Sequence, residues 1–141
     1  MNKIVEKVIY IRLISYLDKY NIINQNQFGF RQGFSTTLAI TEFSEDVLDT
    51  YEKGKETFAV LLDLSKAFDS VNHDILLFKL YKYGIRSNAW SLLHSYLDNQ
   101  EQFLTSKNLF SKQVKIDVGM PQGSVLGPLL FLVEWMNDYS Y

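Results

Sequence analysis

Residues 58–62 read Phe-Ala-Val-Leu-Leu without a polar side chain, and Asp63 closes the run. An apolar stretch of this length, without alternation, predicts a strand over residues 57–63 that is buried on both faces. Such a strand has to lie centrally in a sheet, with other elements covering it. The carboxylate at its end then stands where the strand leaves the core. Two readings of Asp63 are open: an ordinary turn or cap residue, or an oxygen ligand that a rigid strand delivers to Mg²⁺. Asp69, six residues on, reads as holding the turn before Asn72.

The rest of the chain supplies elements to cover that strand. Residues 3–20 predict a helix with Ile4, Val5, Val8, Ile9, Leu13 and Leu17 on one stripe. The polar, glycine-bearing stretch "NIINQNQFGFRQGF" predicts a loop. Ser35 caps a second helix in which Ala39, Phe43, Val47 and Tyr51 recur every fourth residue, up to Gly54. A third helix is expected over 73–83, between an Asn72 cap and Gly84, and a fourth over 88–98 behind Ser87. "QEQFLTS" and "KQVKIDVG" predict a hairpin around Lys107 and Asn108, its second arm alternating Val114, Ile116 and Val118. After "GMPQGS", an apolar helix "LGPLLFLVEWMND" follows, with Pro128 in its first turn, where a missing N–H costs nothing. The fold class is α+β, helix-rich, with a small and mainly antiparallel sheet.

Composition excludes several classes. The 141 residues are about one domain, and 47% hydrophobic content argues against disorder. Cysteine is absent, so no disulfide framework or thiolate metal site can form. His73 and His94 have no partner at metal-ligand spacing and read as ordinary surface or core residues. The net charge of −2 argues mildly against a free-standing nucleic-acid binder, and residues 36–74 carry nine acidic against three basic groups. Most of that acidity fits a solvated helix face. No apolar run reaches the roughly 20 residues of a membrane span, and the first residues lack a secretory pattern. An intracellular chain, in nucleus or cytoplasm and without a membrane partner, is the expectation.

Three segments then fall into one pattern. "LLDLSKAFDSVNHDILLFKLYKYGI", "SYLDNQEQ" and "GMPQGSVLGPLLFL", in this order and spacing, resemble the reverse transcriptase domain of non-LTR (LINE-type, Jockey-like) retrotransposons. "NQFGFRQGFSTTLAI" resembles the same family's fingers segment, and "IVEKVIYIRLISYL" the helix before it. The resemblance implies the fingers–palm portion of a right-hand polymerase fold, with residues 1–56 on the fingers side and 57–141 in the palm. It implies RNA-directed DNA synthesis by two-metal nucleotidyl transfer on an RNA template, a DNA primer and deoxynucleoside triphosphates.

It also implies roles residue by residue. Asp63 matches the first catalytic aspartate, a Mg²⁺ ligand, and Leu64 would lend its backbone carbonyl. Phe68 matches the bulky residue under the sugar that rejects a 2′-hydroxyl. Gln122 and Gly123 match the loop that approaches the nucleotide, and Arg31 a fingers position near template phosphate; anchoring of its own loop to an acidic side chain is the equal alternative for Arg31. The family completes its carboxylate cluster with a later "ADD" sequence, and no Asp-Asp pair occurs in these 141 residues. The expectation is therefore a fragment that holds Mg²⁺ weakly or not at all and does not polymerise alone. A degenerate or domesticated remnant that binds nucleic acid or a protein is the alternative. Three structural expectations follow. The 57–63 strand pairs with the 112–118 arm or its hairpin partner, and the third and last helices pack on that sheet. Asp63, Phe68 and Gln122 line one cleft, within roughly 10 Å of a shared point. The last helix leaves an apolar patch around Leu129, Leu130, Leu132, Val133 and Trp135, which favours self-association.

Overall fold

A computed structural model describes residues 2–98, 100–107, 109–121 and 123–135. Five helices dominate it: α1 (Lys3–Lys19), α2 (Thr36–Glu52), α3 (His73–Lys82), α4 (Ser87–Asp98) and α5 (Gly127–Trp135). α2 and α3 begin with the expected caps, whereas Ser87, expected to precede the fourth helix, is the first residue of α4. The Asn72 side chain accepts from the backbone N–H groups of Asp74 and Ile75, and Ser35 accepts from Leu38. Gly84 leaves α3 at φ 91°, a left-handed conformation that stops a helix cheaply only at glycine.

The core is a packing of helices. Leu17 of α1, Leu76 and Leu80 of α3, Leu97 of α4, and Leu129 and Leu130 of α5 are completely buried. α5 is apolar nearly all round because it is covered nearly all round: Leu129, Leu130, Leu132 and Val133 are all buried. The apolar patch expected on this helix is therefore not there; neighbouring helices cover it. α3 packs its leucine face on α4 and α5, not on a sheet. Polar ties lock the arrangement. Glu134 of α5 accepts from the backbone N–H of Asn72 at 2.9 Å, and Lys79 donates to the Glu134 carbonyl.

The expected hairpin forms, as two short antiparallel ladders. β1 (Glu101–Gln102) pairs with β4 (Val114–Lys115), and β2 (Thr105–Ser106) with β3 (Leu109–Phe110). The Asp98–Lys115 ion pair, 2.7 Å, ties this hairpin back to the end of α4.

Residues 57–63 do not form the expected central strand. The segment is extended but unpaired, and Phe58, Val60, Leu61 and Leu62 are 79–95% exposed. The reason lies in pairing. The backbone that was expected to flank it, around Val118, bridges Asn72 instead, and Gly119 N–H donates to the Val71 carbonyl at 2.7 Å. None of the described strands pairs with residues 57–63, and composition alone does not bury them. Helix α2 is likewise without a buried residue, and its expected stripe, including Phe43 and Tyr51, faces solvent.

Two leucines separate these environments. Leu80→Ala, in the core, should cost about 2–5 kcal/mol in urea unfolding of this chain. Leu61→Ala should stay within about 0.5 kcal/mol. A large loss at Leu61 would mean that residues 57–63 are packed after all.

Candidate functional site

Lys66 turns the chain out of the extended segment in a left-handed conformation, φ 54°, into a short 3-10 helix, Ala67–Ser70. This turn aims Phe68 inward. Its ring stacks on Phe131 at 4.6 Å, and Phe30 meets it edge-on at 5.5 Å. Its backbone carbonyl accepts from Met120 N–H at 3.0 Å, which draws in the "GMPQGS" loop. Gly119 has φ 98°, and a side-chain carbon there would stand 3.3 Å from the Asp69 carbonyl oxygen. Only glycine lets the two backbones come this close.

Between them is a hollow of about 340 Å³, lined by Phe68, Asp69, Met120, Pro121, Gly123 and the first residues of α5. That volume lies at the small end of ligand pockets. Asp69 also borders a second hollow, of about 620 Å³, beneath the hairpin.

The structure thus unites two of the sequence-derived site residues, Phe68 and Gly123. Gln122 lies outside the described residues. Asp63 is exposed and lines neither hollow. The missing sheet explains this, because an unpaired segment has nothing to aim its last residue. Leu64 lines a separate hollow with Asn24, Phe131 and Trp135. Arg31 turns inward: its guanidinium donates to the Asn24 carbonyl, pairs with Asp18 at 3.4 Å and stacks over Phe34. It anchors its own loop, and its charge is already matched.

Among the described residues no three His, Asp or Glu side chains are grouped closely enough to hold a metal ion, so these residues by themselves do not fit a two-metal centre.

Sequence reading missed two buried polar residues around the loop. Glu6 of α1, 6% exposed, accepts from Val125 N–H at 2.7 Å. The spacing 6, 10, 13, 17 places it in line with Leu13 and Leu17 on the buried face, so the signal was present. His73, also 6% exposed, meets the Gly119 carbonyl with Nε2 at 2.7 Å. Tyr96 is buried beside them, its hydroxyl without a well-formed hydrogen bond among the described residues. Burial pushes its pKa above the ordinary 10.0, contact with Ser124 offsets part of this, and the Glu6 carboxylate adds to the rise.

Tyr96 gives a pH signature. A pKa raised by folding contributes stability that is intact below about pH 10 and lost as pH rises past it. Phenolate absorbance should show one late-ionising tyrosine, and Tyr96→Phe should remove that late step. Loss of any other tyrosine's step in its place would place the buried phenol elsewhere.

Comparison with known proteins gives the family of the chain. Residues 1–137 match the family described as reverse transcriptase (RNA-dependent DNA polymerase). The chain is 35% identical over 133 residues to a probable RNA-directed DNA polymerase from transposon BS of Drosophila melanogaster, covering 94% of this chain and 15% of the relative. It is 33% identical over 131 residues to the corresponding X-element protein of the same organism, covering 93% and 14%. A polymerase from mobile element jockey, again from Drosophila melanogaster, is 33% identical over 134 residues, covering 94% and 14%. The chain therefore spans about 15% of the length of the curated relatives it matches. No solved structure gives a significant match. No described helix is long and apolar enough to cross a membrane. With one profile spanning nearly the whole sequence, the chain belongs to the reverse transcriptase family of retrotransposons.

Proposed function

We propose that this chain is the nucleotide-contacting part of an RNA-directed DNA polymerase. The observation that carries the reading is that Phe68 and Gly123, 55 positions apart in sequence, line one hollow of about 340 Å³. An aromatic ring held rigidly by Phe131 and Phe30 is suited to a steric role under a sugar, where a 2′-hydroxyl would collide with it. Glycine opposite lets backbone approach a ligand closely. In this reading residues 1–56 belong to the fingers side and 57–141 to the palm of a right-hand fold. RNA template, DNA primer and deoxynucleoside triphosphates are the substrates of the whole protein.

Asp63 is proposed as one Mg²⁺ ligand of that protein, with Leu64 beside it and Gln122 in the loop. Reverse transcriptases as a family use divalent metal ions. Fixing two ions at close spacing takes several carboxylates. Asp63 is exposed and unaccompanied by such a group among the described residues. Its partners are proposed to come from other parts of the polymerase.

The reading is tested by titrating the isotope-labelled chain with a deoxynucleoside triphosphate and Mg²⁺. Backbone resonances of Phe68 and Gly123 should move, and the matching ribonucleotide should move them less. Phe68→Ala should erase the difference between the two sugars. Affinity should be low, because a lone carboxylate competes poorly with the waters of Mg²⁺. The 141-residue chain should not extend a primer on an RNA template at any Mg²⁺ concentration. Shifts confined to surfaces away from Phe68 would sink the assignment. Extension that Asp63→Asn abolishes would show that this chain carries a complete metal centre.

A further inference from the structure

We propose that Glu6 and His73 are positioning residues that fix the 119–125 loop from two sides. Their purpose rests on the nucleotide reading above, while the geometry stands independently. Glu6 holds the far end of the loop, through Oε2 and the Val125 N–H at 2.7 Å. His73 holds the near end, through Nε2 and the Gly119 carbonyl at 2.7 Å. A carbonyl oxygen only accepts, so Nε2 must carry a hydrogen, which fixes the ring tautomer. The backbone N–H of His73 adds a bond to the Asp117 carbonyl at 3.3 Å, so α3 grips the strand leading into the loop as well.

Between those ends the described residues of the loop are tied at several points. Met120 N–H is tied to Phe68, Ser124 N–H to the Pro121 carbonyl at 3.1 Å, and Ser124 Oγ accepts from Gly127 N–H at 2.7 Å. Neither Glu6 nor His73 lines the hollow. Both therefore act through the backbone that carries Gly123, and not by touching a ligand.

Core packing does not account for these residue types. Glu6 occupies a buried face whose neighbours at helical spacing are Leu13 and Leu17. Burying a carboxylate there is costly unless a charged hydrogen bond compensates, and a leucine would carry no such cost. What the carboxylate adds is direction: a charge-assisted bond to one N–H of the loop. The same holds for His73, whose ring is buried yet pairs with one chosen carbonyl. Polar groups satisfied in this way select one arrangement of the backbone.

The test uses the labelled 141-residue chain and four variants. Glu6→Leu and His73→Phe remove the ties, while Glu6→Gln keeps an acceptor and His73→Gln keeps a donor. The Leu and Phe variants should shift the Met120, Gly123 and Val125 amides and speed exchange at Met120 and Val125 about tenfold or more. Exchange at Leu80 and Leu97 should change much less, which separates loop positioning from general loss of stability. The two Gln variants should restore most of the parent pattern. In the parent itself, long-range nitrogen spectra should show the neutral His73 ring protonated on Nε2, a readout that needs no variant to fold. A ring protonated on Nδ1, or loop exchange that rises only in step with the core, overturns the proposal. With a deoxynucleoside triphosphate present, Glu6→Leu should weaken binding about tenfold and Glu6→Gln far less. If the parent shows no nucleotide response while the loop effects persist, the two ties stand and the nucleotide reading fails.

Discussion

The backbone bonds between residues 68–73 and 116–120 are the constraint on which the rest depends. Three N–H groups make this seam: Met120 to Phe68, Gly119 to Val71, and His73 to Asp117; Ile116 is bonded onward to Gln100. The seam brings a loop and a turn from distant parts of the chain into one wall of a hollow. It requires a residue without a side chain at position 119, because a carbon there would press on the Asp69 backbone. It also decides the fate of residues 57–63. Once the 117–119 backbone is committed to residues 68–73, the apolar run before Asp63 cannot pair there and joins none of the described strands.

Hydrophobic residues in this protein consequently fall into two populations. One fills the interior around α5, where Leu129, Leu130, Leu132 and Val133 are enclosed and Phe131 and Trp135 half-buried. The other, in residues 58–62 and along α2, stands in solvent. Exposed apolar area of this extent is unusual for a self-contained domain. A chain that spans about 15% of its relatives' length is consistent with surfaces that the longer polymerases cover.

Much of the helical architecture was legible in the sequence, because its signals are local. Asn72, Ser35 and Gly84 mark helix ends by short-range chemistry, and the leucines of α3 repeat at helical spacing. The strand at 57–63 was misread for the opposite reason. An unbroken apolar run says that a segment can be buried, but not against what. The same limit applies to the site. Phe68 and Gly123 were named from motif position, and their meeting depends on hydrogen bonds that no spacing rule encodes. Glu6 could have been noticed as an acid in line with buried leucines, yet nothing in the sequence says that its partner is Val125. For Arg31 the sequence leaves two readings, a contact to template phosphate and an anchor to an acidic side chain, and the fold takes the second, with Asp18.

The separations of these ties also set an order of assembly. α3 and α4 are neighbours in sequence and can pair as soon as both exist, at little loop-closure cost. His73 and Gly119 are 46 positions apart, and Glu6 and Val125 are 119 apart. The last of these is available only when the start of the chain meets a segment made more than a hundred residues later. During synthesis the first helix must wait, with its carboxylate in water, until that segment emerges. The loop beside Phe68 thus takes its final shape as one of the closing events of folding, and the Phe131 ring that stacks on Phe68 is made later still.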